Sequence, residues 1–338
     1  MADNQSSNDT GSVSFGSAEI SLPRAARFWI LLLFDIPSTI CAFFVLFCIL
    51  FDQKLRSAVK NHILIILLIF GLAAQLIDVP FYLNFIIHSG VVPAQHWTCL
   101  LWWSVDIGMY NGGIILMVWV ALERHIIIFH DQWLLTRKRR IFVHYIPLLF
   151  ILLYIFIFYI YNIYYFPCEN AYDYTLPYCS TSPCFQNDPF MGEWDWIVNT
   201  TLPSFLEPVF SVAFVFRVIW HKYHAQLPIQ WRKQRKMAIQ LMSLSFLNLI
   251  SNFPLGIIGM AHLVGLPQDV GVNAEHYFFF LCYFVIFFFP FICLASISSV
   301  YSKFQAKMLR RRRRQRQIQA FSLTVKPAEF RMNMTMQQ

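Results

Sequence analysis

Long apolar stretches alternate with short polar ones along almost the whole chain. Seven apolar segments can be drawn, at about 28–51, 61–89, 98–129, 139–166, 196–224, 236–264 and 275–300. Each is longer than the roughly 20 residues an α-helix needs to cross a hydrocarbon core. The alternating ten-residue segments of a transmembrane β-barrel are absent. The pattern predicts an all-α membrane protein, a seven-transmembrane helix bundle, with a short amphipathic C-terminal helix after Tyr301. Residues 1–27 are expected to be a disordered extracellular N-terminus, 28–301 the seven-helix domain, and 302–338 a cytoplasmic amphipathic helix and basic tail.

Composition adds the solvent. Of 338 residues, 57% are hydrophobic and only 13% charged, against about 25% charged in a soluble globular chain. The excess apolar surface needs lipid to cover it. No stretch outside the segments is long enough for a second core. The first 20 residues are polar, so no signal peptide is expected.

Orientation follows from Lys and Arg. Of the 26, only Arg24 and Arg27 precede the first segment, and the stretches 90–98, 165–195 and 265–276 hold none. Lys54, Arg56, Lys60, Arg137 to Arg140, Lys222 and Arg232 to Lys236 cluster on the other side. That side is expected to be cytoplasmic and the N-terminus extracellular, in the plasma membrane. The net charge of +8 then reports membrane topology, and no nucleic acid is expected. Asn4 and Asn8 head glycosylation triplets on the outer side. Arg310, Arg311, Arg312, Arg313 and Arg314 form a cluster that attracts anionic lipid, about 1 kcal/mol per charge near the surface. The same cluster also reads as a plain retention charge block.

The third segment carries the most chemistry. Cys99 stands at its mouth, Asp106 inside it, and Glu123-Arg124-His125 at its far end. From Cys99 to Arg124 is roughly 37 Å of helix, enough to cross a bilayer. Four cysteines face outward: Cys99, Cys168, Cys179 and Cys184. They allow three pairings.

On the Glu123-Arg124-His125 triplet, the matching distance to Cys99 and the seven segments, the chain resembles the rhodopsin-like (class A) G-protein-coupled receptors. The resemblance implies a tie from the third helix to the outer loop, favouring Cys99–Cys184 with Cys168–Cys179 as a local closure. It implies that Glu123 restrains Arg124 and that Arg124 helps open the inner face to a heterotrimeric G protein. It implies that Pro208 and Pro290 are the family's fifth- and seventh-helix prolines and that Pro254 stands at the kink of the sixth helix. Departures are many. Gly71 replaces the buried aspartate, so no conventional sodium site is expected, and Asn252 replaces the aromatic switch. Phe289 and Cys293 flank Pro290 where an asparagine and a tyrosine are usual. Gln234 stands where an acid often locks Arg124, which implies raised basal activity.

A candidate pocket surrounds Asp106, with Trp102 and Trp103 one helical turn above, Tyr110 one turn below and Asp78 on the second segment. Aromatic rings around a carboxylate suit a cation. By the resemblance, Tyr283 hydrogen-bonds Asp106, and Thr200, Thr201 and Ser204 hold the polar end of an amine. The same residues also read as packing: the aromatics as core, the hydroxyls bonded to their own backbone, Asp106 as a structural acid. Leu255 and Gly256 stand where amine receptors have aromatics, and several acids suit an arginine-bearing peptide. The expectation is a receptor for an extracellular cationic ligand, a biogenic amine or an arginine-containing neuropeptide. The alternative is a transporter of a small cationic solute, which would carry related halves with broken helices. No internal repeat is visible. The seventh segment has no lysine for a retinal Schiff base, no metal-ligand spacing stands out, and neither a cofactor nor an enzyme activity is expected.

Overall fold

The computed structural model describes residues 20, 22–129, 136–179, 182–225, 231–267 and 270–295, with backbone alone at 54, 60, 221–225, 231–238, 240 and 241. Seven described helices are long and apolar enough to cross a membrane. We number them α1 (Arg24–Phe51), α2 (Asn61–His88), α3 (His96–Phe129), α4 (Arg137–Tyr165), α5 (Pro189–Trp220), α6 (Met242–Leu263) and α7 (Val272–Ala295). The helix containing α6 begins earlier, at Trp231. Residues from Leu294 onward belong to a second unit, of which 294–295 alone are described.

The ends of these helices are written in local chemistry. Asp188 caps α5, its carboxylate accepting the N–H groups of Phe190 (3.1 Å) and Met191 (2.9 Å). Pro189 follows at the first helical position, where its missing N–H removes nothing. Thr136 caps α4 through the N–H of Arg139, at 3.4 Å. The chain leaves α2 at Ser89 in the left-handed region, φ 54°.

Burial sorts the helices. In α4 only 17% of the apolar window is buried within the bundle, against 56% in α2. Phe142, Phe150 and Ile157 of α4 are exposed, the arrangement expected where lipid tails complete the packing. α3 packs against α2, α4 and α5, and α5 against α6.

Polar residues tie the apolar helices together. Gln75 of α2 donates to Ser38 Oγ (2.8 Å) and accepts from Thr39 Oγ1 (3.1 Å), both on α1. Ser38 donates in turn to the Phe287 carbonyl of α7, at 2.8 Å. One glutamine thus joins three helices, each bond contributing on the order of 0.6 kcal/mol in a membrane.

Five segments within these spans wind as π-helix: Ala74–Asp78, Ser104–Met109, Ile141–Tyr145, Tyr161–Tyr165 and Asp195–Thr201. Each inserts a wider turn and changes which way the following side chains point.

The loop between α4 and α5 corrects the favoured disulfide pairing. Cys99 is joined to Cys179, and Cys168 to Cys184. The reason is a backbone reversal. Tyr178 and Cys179 both take left-handed φ values, 59° and 61°, which swings Cys179 onto α3, where it is fully buried. Cys184 is held elsewhere, its N–H bonded to Asn170 Oδ1 at 2.8 Å.

Candidate functional site: a cavity at the disulfide end of the bundle

A cavity of about 400 Å³ opens among α1, α2, α3, α5, α6 and α7 beneath the disulfide-bearing loop. That volume lies within the range of small-molecule sites. Asp78, Trp103, Asp106, Tyr110, Thr200 and Tyr283 line it, so most of the expected pocket residues come together. Three of those side chains, Asp78, Asp106 and Thr200, sit in π-helical segments.

Trp102, Thr201 and Ser204 are not on the cavity wall. Trp102 is fully buried and points at α2, where its indole N–H donates to Asp78 Oδ1 at 2.7 Å. Ser204 donates to the Thr200 carbonyl, at 2.7 Å, one turn back on its own helix. Thr200, although on the wall, donates to the Asp195 carbonyl at 3.3 Å. The methyl of Thr201 lies against Gly256. The Thr200 and Ser204 hydroxyls serve the backbone first, as short polar side chains in apolar helices tend to.

Tyr283 is also reassigned. Its hydroxyl donates to Asp78 Oδ1 (3.1 Å) and not to Asp106, because the wider turn at Ala74–Asp78 brings Asp78 to the face of α2 that meets α7. Asp78 is thereby held by two donors. Asp106 accepts no hydrogen bond from any described residue, though it lies on the wall of the same cavity. Arg27, at the start of α1, donates to Tyr82 Oη (3.1 Å) at another part of the wall.

The roof comes from a residue the sequence reading passed over. Tyr178 dips from the loop and stacks on Tyr82, ring centroids 5.7 Å apart. Its hydroxyl meets that of Tyr283 at 2.9 Å. The only sequence signal was its place beside Cys179. The loop is also braced at Asp173, whose carboxylate accepts the Thr175 hydroxyl (2.6 Å) and N–H (2.9 Å). Those bonds hold its pKa below the usual carboxylate value, the hydroxyl contributing most.

Glu207, an acid inside α5, faces α6 and is off the wall. It accepts hydrogen bonds from Ser211 (3.0 Å), Ser245 (2.6 Å) and Asn248 (3.3 Å).

At the opposite end of the bundle Glu123 and Arg124 are buried. Glu123 contacts His144 of α4. His144 meets His62 of α2 at 3.1 Å, and His62 meets the Arg56 carbonyl at 3.0 Å. His125 bonds the Phe210 carbonyl of α5 at 2.9 Å. Pro254 lies inside the α6 helix and Pro290 inside α7. Gln234 is in the helix that leads into α6, with its side chain outside the described residues. Asn4, Asn8 and Arg310 to Arg314 also lie outside them.

No protein-family model matches the sequence, and no curated protein matches it. Among solved structures, the crystal structure of squid rhodopsin aligns with a TM-score of 0.61. The alignment covers 85% of this chain and 89% of that one, at 14% identity. The fold is that of a rhodopsin-like G-protein-coupled receptor. Within this receptor fold, both the seven membrane helices and two disulfides on the α4–α5 loop are present. The protein is a multi-pass membrane protein.

Proposed function

We propose that the chain is a plasma-membrane receptor that binds an extracellular cationic ligand at Asp106 and activates a heterotrimeric G protein through the end of the bundle that holds Arg124. The observation that carries this reading is the contrast between two carboxylates on one cavity wall. Asp78 is held by Trp102 and Tyr283, whereas Asp106 accepts no bond from any described residue. A carboxylate inside an apolar bundle costs several kcal/mol unless something balances it. An ammonium or guanidinium in the cavity supplies that balance, and Trp103, Tyr110 and Tyr283 add ring faces to hold it. Arginine-containing peptides and biogenic amines both carry the required charge.

A ligand that binds the active state more tightly than the resting state shifts the population towards the active one. The test is G-protein activation in cells expressing wild type or Asp106→Asn, screened against biogenic amines and amidated arginine-containing peptides. The expected result is a response in wild type that is lost in the variant at equal surface expression. A response of equal potency in the variant removes Asp106 as the anchor.

A further inference from the structure

The floor of the cavity begins a run of hydrogen bonds that leaves the site and ends at a buried carboxylate between α5 and α6. Tyr110 of α3 lines the cavity and donates its hydroxyl to Asn252 Oδ1 of α6, at 2.8 Å. Asn252 Nδ2 donates to Asn248 Oδ1, one turn along α6, at 2.8 Å. Asn248 Nδ2 donates to Glu207 Oε2 of α5 at 3.3 Å. Ser245 returns from α6 to Glu207 Oε1 at 2.6 Å, and Ser211 meets the same oxygen at 3.0 Å. Asn248, Asn252 and Glu207 are each no more than 1% exposed.

Every link donates in the same direction, towards Glu207. The Glu207 oxygens accept at each of these contacts, which sets that direction. Aligned bonds polarise one another, and the low dielectric around them strengthens the effect. Asn252 cannot turn its amide over alone: the Tyr110 oxygen could accept its N–H, but its carbonyl would then face the carbonyl of Asn248. Asn248 cannot follow, because it would set a carbonyl against the carboxylate. The run therefore acts as a unit whose free end is Tyr110, on the cavity wall.

We propose that this run, Tyr110–Asn252–Asn248–Glu207, is a conformational relay: a change at Tyr110 in the cavity alters how firmly Glu207 and Ser245 clasp α5 to α6. The proposal rests on the receptor reading for its biological meaning, but the mechanical coupling can be tested without ligand or G protein. A polar residue in a membrane span is by default functional when its partners are named. Here five polar side chains on three helices share one carboxylate terminus.

The experiment uses the full chain, purified in lipid nanodiscs, on a Cys48→Ala background. Spin labels are placed at Trp220→Cys and Ile239→Cys, two exposed positions on the two helices. Pulsed spin-resonance distances are compared for the parent, Tyr110→Phe, Glu207→Gln and the double variant. Each single variant is expected to change the ratio of the two distance populations by at least about fivefold. The double variant should go no further than the larger single, because both break one unit. A parent-like distribution for Tyr110→Phe, or additive effects in the double, would overturn the relay. If Glu207→Gln does not fold, Ser211→Ala takes its place in the cycle, and the same criteria apply. Loss of every ligand response with the distance coupling intact would instead remove the receptor reading and leave the relay standing.

Discussion

Around Glu207 three donors converge from α5 and α6; around Asp106 no described donor does. Both are carboxylates inside membrane helices, and an uncompensated one costs several kcal/mol in either place. The bundle satisfies Glu207 with its own side chains and so turns it into a clasp between two helices. It leaves Asp106 on a cavity wall and so makes it a place for something else. The functional group is the same in the two regions. The difference lies in whether the neighbouring helix presents hydroxyls and amides, as α6 does with Ser245 and Asn248, or presents an opening.

The contrast can be broken first at Asp106. Asp106→Asn keeps the size and removes the charge, and the potency of a cationic agonist should fall by two orders of magnitude or more, as about 3 kcal/mol of lost charge pairing implies. Concentration–response curves at matched surface expression measure it. Without ligand the unfolding temperature should hold or rise, because the change removes an uncompensated charge and breaks no bond to a described residue. Glu207→Leu should show the reverse pattern. It strands three buried donors, and at about 1–3 kcal/mol for each the unfolding temperature in detergent should drop by several degrees. Trp102→Phe removes one of the two donors at Asp78 and should cost about 1 kcal/mol; a tryptophan-independent unfolding probe is needed to read it.

The smallest effect lies in the loop. Asp173 is held below its usual pKa by Thr175, so that bond adds stability which is complete above the unfolded value, about 3.9. It fades as pH falls through the lower folded value. Thr175→Val should therefore unfold slightly earlier than wild type at pH 6, and the gap should narrow as the pH is taken down through 3. An equal gap at both ends would mean that the bond to Asp173 is not its source.

The seven spans were legible because lipid demands long apolar windows, and nothing about tertiary contact is needed to see them. The cavity was legible in part. Asp106, Tyr110 and Trp103 stand where helical spacing suggested, on one wall. Trp102 does not, because one wall has room for one of two adjacent rings and the other must turn to Asp78. Tyr283 found Asp78 because π-helical turns shift the side-chain register in a way no periodicity in the sequence marks. The disulfide pairing was hidden for a similar reason: it depends on two left-handed residues, Tyr178 and Cys179, neither of them glycine. Glu207, Asn248 and Gln75 stand out as polar residues inside apolar runs, but partners of each lie on other helices, and only the assembled bundle names them.

The π-helical turns also bear on how this chain is compared, position by position, with others of its fold. A π turn holds about one residue more than an α turn, so each such segment offsets the side chains that follow it from a regular helical count. Deleting one residue within Ser104–Met109 would relax α3 to a regular helix and rotate the two parts of it relative to each other by about 100°. Aligning this chain position by position with a relative that lacks the extra residue puts every later side chain on a neighbouring face. Five such offsets in one bundle make correspondence by counting drift from helix to helix, even while the outline of the fold stays recognisable.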